Sequence, residues 1–183
     1  YIGKEVLGAE HTEYRQSNTV KINDYFASIK YNIHSIDDGP NNSVLVASSL
    51  DFSVTTFESL ERKNILKCMF GNLIVYACYF KQKKEKKPQF EALLNDFDKK
   101  NDFIVIGDLN TGDNILDRSI KGKFALSHYF TDFKELGMRE AFREIHGGKR
   151  EYSWAHATTG NEFRIDQAWC SYKVEIIEGT YHH

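Results

Sequence analysis

Asp108 and Asn110 stand at the end of a short apolar run, Phe103-Ile104-Val105-Ile106, within the stretch FIVIGDLNTGDNILD of residues 103–117. An apolar run of this length suits one buried strand and is too short for a helix. Gly112, Asp113 and Asn114 follow, and these residue types form turns. The pattern predicts a carboxylate and an amide delivered at the C-terminal end of a buried strand, where the sheet opens to solvent. If strand geometry persists through Asn110, the two side chains point the same way, aiming an acceptor and a donor at one substrate atom. A strand that simply ends in Asp and Asn is the plainer alternative at this point.

Three further stretches carry polar chemistry into apolar surroundings. In Phe163-Arg164-Ile165-Asp166, alternate residues of a strand are charged. That is costly inside a sheet unless the pair faces a polar site or forms a structural ion pair. Tyr152-Ser153-Trp154 puts a hydroxyl beside an indole, which can serve as core or as a platform for a sugar or base. Tyr79-Phe80-Lys81-Gln82 closes another strand, where Tyr79 either packs or faces a substrate. The Lys81–Lys87 loop, KQKKEKK, is a solvated surface unless it lies beside Tyr79, Asp108 and Asp166.

These residues need strands to hold them, and the chain supplies many. A length of 183 residues fits one domain with a sizeable core. Strands are predicted within residues 1–10, near Tyr31, and over 44–47, 52–57, 64–70 and 73–80. The last two make a hairpin at Gly71-Asn72. Residues 11–21 read as loop with some helix, 22–33 as a short helix leading into an edge strand, and 37–43 as a turn. Pro88 opens a helix carrying Phe90, Leu93, Leu94 and Phe97. Helices are also predicted over 125–136 and 138–145, and strands over 152–154, 163–170 and 174–177. Many strands with few helices between them predict a layered α/β sandwich of antiparallel or mixed sheets.

Composition narrows the setting. No apolar run approaches the length of a membrane span and no signal peptide opens the chain. Cys68, Cys78 and Cys170 are scattered without zinc spacing, which points to reduced thiols and an intracellular location, cytoplasm or nucleoid/nucleus. At a net charge of −2, a polyanionic partner must be held by local basic patches and metal ions.

Taken in chain order, the pieces resemble the exonuclease/endonuclease/phosphatase superfamily, and within it the exonuclease III-like abasic-site endonucleases. Tyr79-Phe80-Lys81-Gln82 looks like the family's Tyr-Phe-Pro-Gln with Lys81 in place of proline, and Gly107-Asp108-Leu109-Asn110 matches Gly-Asp-Leu-Asn. Asn114 to Asp117 resembles the acidic continuation. Gly137-Met138 through Phe142-Arg143 is similar to the family's Gly-hydrophobic-x-Asp-x-Phe-Arg helix, although Glu140 is not its Asp. Tyr152-Ser153-Trp154 and Arg164-Ile165-Asp166 complete the set.

The resemblance implies a single-domain, four-layer α/β sandwich of two mixed, mostly antiparallel sheets flanked by helices. It also implies a divalent-metal-dependent phosphodiesterase acting on DNA, as an abasic-site endonuclease or 3′-exonuclease. In that reading Asp108 positions or deprotonates the attacking water, Asn110 donates to the phosphate, and Tyr79 contacts the phosphate or leaving group. Asp166 and Glu10 hold Mg²⁺ or Mn²⁺, for which carboxylate and amide oxygens suit; Glu5 is the poorer alternative to Glu10. Gln82, Arg62, Lys63, Lys83, Lys84, Ser153, Trp154 and Arg164 are the implied substrate contacts, with duplex DNA the implied partner and no membrane. The family's upstream Asn strand and downstream Ser-Asp-His are not matched, so the resemblance implies a domain incomplete at both ends. A same-fold phosphatase, an RNA nuclease, or an inactive nucleic-acid- or protein-binding domain are the competing readings.

Overall fold

In the computed structural model, which describes residues 2–4, 21–36, 44–61, 63–98 and 100–181, the strands gather into two principal sheets. The smaller holds β1 (Ile2–Lys4), β2 (Asn32–Ser35) and β3 (Val44–Ser48) in the antiparallel order β1-β3-β2. The larger is built from β4 (Ser53–Thr56), β5 (Ile65–Phe70), β6 (Leu73–Tyr79), β7 (Asp102–Asp108) and β8 (Arg139–Glu140). After the separate hairpin of β9 (Trp154–Ala155) and β10 (Glu162–Phe163), it is completed by β11 (Asp166–Cys170). Its order is β4-β5-β6-β7-β11-β8. Only β6 and β7 pair in parallel, and the connection between them carries a 3₁₀ turn at Lys83–Lys86. The helices are α1 (residues 21–28), α2 (Lys87–Asp96), α3 (Tyr129–Glu135) and α4 (Ala141–His146).

Period-two patterning sorts the large sheet into two buried faces. Ile74, Tyr76, Phe103, Val105 and Trp169 pack against Phe90 and Leu93 of α2 and Phe130 and Phe133 of α3. The other face turns Leu66, Cys68 and Ala77 toward Val44 and Val46 of the small sheet. Phe90 anchors the helical layer: it stacks on Tyr129 at 4.6 Å and meets Phe80 edge-on at 4.8 Å. Burying a ring of that size contributes about 1.5–3 kcal/mol. The result is the expected four-layer α/β sandwich.

The strand expected over 163–170 is instead two, β10 and β11 in different sheets, with residues 164 and 165 in neither, and three further elements differ from the sequence reading. Residues 125–128 form turns, and α3 begins only at Tyr129. The segment expected to be helical from Met138 instead starts with β8, which pairs with β11, before α4 begins at Ala141. Residues 174–177 are not a strand. β8 already occupies the outer edge of β11, and the Arg139 guanidinium takes the carbonyls of Tyr172 and Val174 that a ladder would have used. Among the described residues no helix is long and apolar enough to cross a membrane.

Candidate active site

Strand register brings the candidate side chains into one line. Tyr79 on β6 lies beside Asp108 on the parallel neighbour β7, and Asp166 on β11 lies directly across from Asp108. Register partners project from the same face of a sheet, so Tyr79, Asp108 and Asp166 form a row across three adjacent strands. The row sits where β6 and β7 end and β11 begins, on the face turned toward the small sheet.

Its spacing depends on Gly107, which has φ of +133° and lies against β6. A Cβ there would stand 2.1 Å from the Cys78 carbonyl oxygen, so only glycine lets the strands close at this point. Backbone bonds then bolt the strand ends together. Phe80 N donates to Asp108 O (2.7 Å), and Leu109 N donates to Ile165 O (2.9 Å). Asn64 Nδ2 donates to Tyr79 O at 2.7 Å, and Gln89 Oε1 accepts from Lys81 N at 2.8 Å.

Strand geometry does not persist to Asn110. Asp108 Oδ1 accepts from Asn110 N at 2.8 Å, and Asn110 turns into the left-handed region at φ +49°, a conformation Asn tolerates. Its Nδ2 donates to the Phe80 carbonyl at 2.6 Å. An amide nitrogen carries two N–H groups, and the second has no acceptor among the described residues. The amide is therefore aimed by a turn locked onto β6, and not by alternation along β7.

The other predicted residues divide. Ser153 Oγ accepts from the backbone N–H groups of both Ile165 and Asp166 at 3.1 Å, so it fixes the start of β11. Trp154 is 43 % exposed and leans on Phe163, with centroids 5.8 Å apart. Gln82, Lys83 and Lys84 are exposed beside the end of β6, and Lys63 is exposed ahead of β5. Arg62 and Glu10, with Glu5, lie outside the described residues.

Arg164 departs from its expected role as a substrate contact. It is buried, with Nε and Nη2 on the Asp117 carboxylate at 2.8 and 3.1 Å and Nη1 on Glu140 at 2.9 Å. Burial alone would lower its pKa, but the Asp117 bond and the Glu140 charge outweigh that and hold it charged. Asp117 also binds Arg143, while Glu140 caps α4 by accepting from Phe142 N and Arg143 N. Glu140 thus performs the capping and ion-pairing task of an acid at the start of this helix. A cavity of about 670 Å³ opens beside this network between α3 and α4, with Phe130 and Trp169 on its floor. It lies on the helical side of the sheet, away from the row of Tyr79, Asp108 and Asp166.

Lys86 was hidden in the lysine run. Its side chain is 1 % exposed, and Nζ donates to the Asn110 carbonyl at 2.7 Å. The available signal was helical spacing: Lys86, Phe90 and Leu93 share one side of the turn that enters α2. Burial pushes the amine down to about 8, against the opposing pull of the Asp108 carboxylate. Folded and unfolded chains both hold this proton below about pH 8; from there to about 10.4 only the unfolded chain does. The unfolded state then binds more protons, so stability rises with pH across that window. The rise due to Lys86 is ~3 kcal/mol at most. Urea titrations of wild type and Lys86→Met should show the difference in pH slope confined to this window, and equal slopes would refute the assignment.

No family model and no curated protein matches the chain. Solved structures do. The 3′-phosphatase NExo from Neisseria, bound to a product DNA hairpin, matches with a TM-score of 0.72 and 15% identity over 81% of this chain and 69% of its own. An AP endonuclease from Archaeoglobus fulgidus matches at 0.66 and 19% identity, covering 80% and 68%. An endonuclease/exonuclease/phosphatase family protein from Leptotrichia buccalis matches at 0.57 and 15% identity, covering 86% and 65%. These likenesses establish the fold as that of the exonuclease/endonuclease/phosphatase proteins.

Proposed function

We propose that this domain is a nucleic-acid phosphodiesterase acting on duplex DNA by water attack on phosphorus, in the manner of an abasic-site endonuclease or 3′-exonuclease. The observation that carries the reading is the row of Tyr79, Asp108 and Asp166 at the mouth between the sheets. Asp108 orients the attacking water and accepts its proton. The free N–H of Asn110 donates to a non-bridging phosphoryl oxygen, where negative charge develops. Tyr79 approaches the phosphate or the departing oxygen from the neighbouring strand. Lys86 holds the Asn110 carbonyl, and so the turn that presents the amide, while its charge offsets that of Asp108. The DNA fold neighbours support nucleic acid as the substrate class, and the exposed Trp154 and lysines of the β6–α2 connection suit a base and a phosphate backbone.

The donor set fits a hard divalent cation. Asp108 and Asp166 face one another with oxygen ligands, and the three cysteines are buried. Among the described residues no third His, Cys, Asp or Glu joins them. Mg²⁺ is commonly held by one or two carboxylates plus substrate phosphate. Asp166, with Asp108 opposite it, would hold Mg²⁺ or Mn²⁺, and Glu10 is the third candidate by sequence. When bound, the cation supplies Lewis-acid polarisation of the phosphoryl group.

The test is an end-labelled duplex containing one abasic-site analogue, incubated with the full-length protein and Mg²⁺ or with chelator. Expected is a single nick at the lesion or progressive 3′ shortening, abolished by chelator. Hydrolysis of inositol phosphates with intact DNA would overturn the substrate assignment, and binding of DNA without cleavage would overturn the catalytic one.

A further inference from the structure

Two arginines are buried among the described residues, and their surroundings differ. Arg164 is saturated by two carboxylates. Arg118, only 9 % exposed, has a buried Nε with no acceptor, and its guanidinium makes no hydrogen bond or ion pair among the described residues. It lies beside the edge-to-face pair of Phe124 and Phe163, 5.2 and 5.7 Å from their ring centroids. Gly122, at φ +142°, closes over it: a Cβ there would stand 2.8 Å from Nη2 and 3.0 Å from Cζ. Ring faces compensate the cation in part, but they accept none of its in-plane N–H groups. A desolvated guanidinium kept without a counter-charge is costly, and the surroundings are shaped to keep it so.

More positive charge gathers around it. The exposed 119–123 loop carries Lys121 and Lys123 and no acid. Arg150 donates to the Arg118 carbonyl at 3.3 Å and to the Ile115 carbonyl at 3.1 Å, which leaves its charge unpaired with any carboxylate among the described residues. Arg118 is also fixed relative to the active site. It bridges to Phe163, and Arg164 N donates to the Asp117 carbonyl at 2.9 Å, so the 117–119 segment runs beside the residues that lead from β10 into Asp166 of β11. Asp166 is three residues on from Phe163, a reach of at most about 11 Å. Trp154 flanks the same spot, paired in register with Phe163.

We propose that Arg118, with Lys121, Lys123 and Arg150 around it, is a phosphate-binding site for the nucleic-acid backbone a few nucleotides from the attacked bond. A guanidinium matches a phosphodiester, which accepts from two parallel N–H groups. Contact with Phe124 and Phe163 restrains it before the nucleic-acid strand arrives. The inference rests on the nucleic-acid reading above, but not on catalysis.

Binding of a labelled DNA duplex to the full-length protein, in chelator and across a salt series, tests it. Arg118→Gln keeps a planar amide beside the rings while removing the charge. Its slope of log affinity against log salt should be shallower by about 0.9, the value for one lost phosphate contact, with the melting temperature nearly unchanged. Arg118→Lys should keep the wild-type slope. Should Arg118→Gln fail to fold, the exposed pair Lys121→Gln and Lys123→Gln should lower the slope by up to about 1.8. Wild-type slopes in these charge-removing variants would overturn the site and leave the active-site reading intact. No binding by the wild type would overturn both. Binding without cleavage in Mg²⁺ would leave the Arg118 site standing and strike only the catalytic reading.

Discussion

Asp108→Asn should lower single-turnover cleavage by about 10³-fold, within the 10²–10⁴ that a positioned general base contributes. The substitution is close to isosteric, and an Asn side-chain oxygen can still accept the Asn110 N–H that the carboxylate accepts now at 2.8 Å. The turn that presents Asn110 should therefore survive, and the loss should fall on the rate and not on substrate affinity. Asp166 lies directly across the strand pair and, in the proposed reaction, serves the same phosphoryl group, so Asp166→Asn should cost a similar factor. The double variant should be scarcely worse than either single one, because residues that work as a unit are not additive. A loss below tenfold for Asp108→Asn, with the melting curve unchanged, would remove this residue from the chemistry.

Asp117→Ala should be the most damaging substitution for stability. Asp117 is buried and receives Arg164, Arg143, Gln167 and the Asp113 backbone N–H. Removing it takes a carboxylate from two guanidinium groups, one of them fully enclosed and left with Glu140 as its one acidic partner. Breaking a buried ion pair from one side costs about 3–5 kcal/mol, a large part of the 5–15 kcal/mol that holds a typical domain together. For a chain of this size the melting temperature should fall by roughly 6–20 °C. Arg164→Met should be comparably destabilising, since it leaves Asp117 and Glu140 facing each other without their shared cation. Urea denaturation of the two single variants and the double should reveal strong coupling. Losses under about 1 kcal/mol for both single variants would show that the network contributes specificity of packing and little else.

The contrast between these predictions explains what each polar residue of the 103–117 stretch does. Asp108 and Asn110 end a strand at the mouth of the sandwich, whereas Asp117, a few residues later in the same loop, folds back under the sheet. All three are short polar residues beside turn formers, and the sequence offers no local mark to separate those proposed to face substrate from the one that binds Arg164. In the same way Arg164 and Asp166 alternate along one strand start, and only packing shows that the first is enclosed by Phe142, Asp117 and Glu140. Lys86 was legible in principle from its helical spacing ahead of Phe90. Arg118 was not, because the role proposed for it depends on no described carboxylate lying among its neighbours in space.

By itself the sequence determined the ingredients and their order: apolar runs that become β5, β6 and β7, the Gly71-Asn72 hairpin, the Pro88 helix, and polar residues placed at strand ends. These are local properties, set by side-chain period, turn chemistry and backbone freedom. Tertiary structure decided the alignment. Tyr79, Asp108 and Asp166 become one row only through the register of β6 and β11 on β7, and a slip of one residue would turn each partner to the opposite face. Register is fixed by pairing between distant segments, by the close approach that Gly107 permits, and by the two buried cores. That long-range information is spread over every strand and is carried by no single motif.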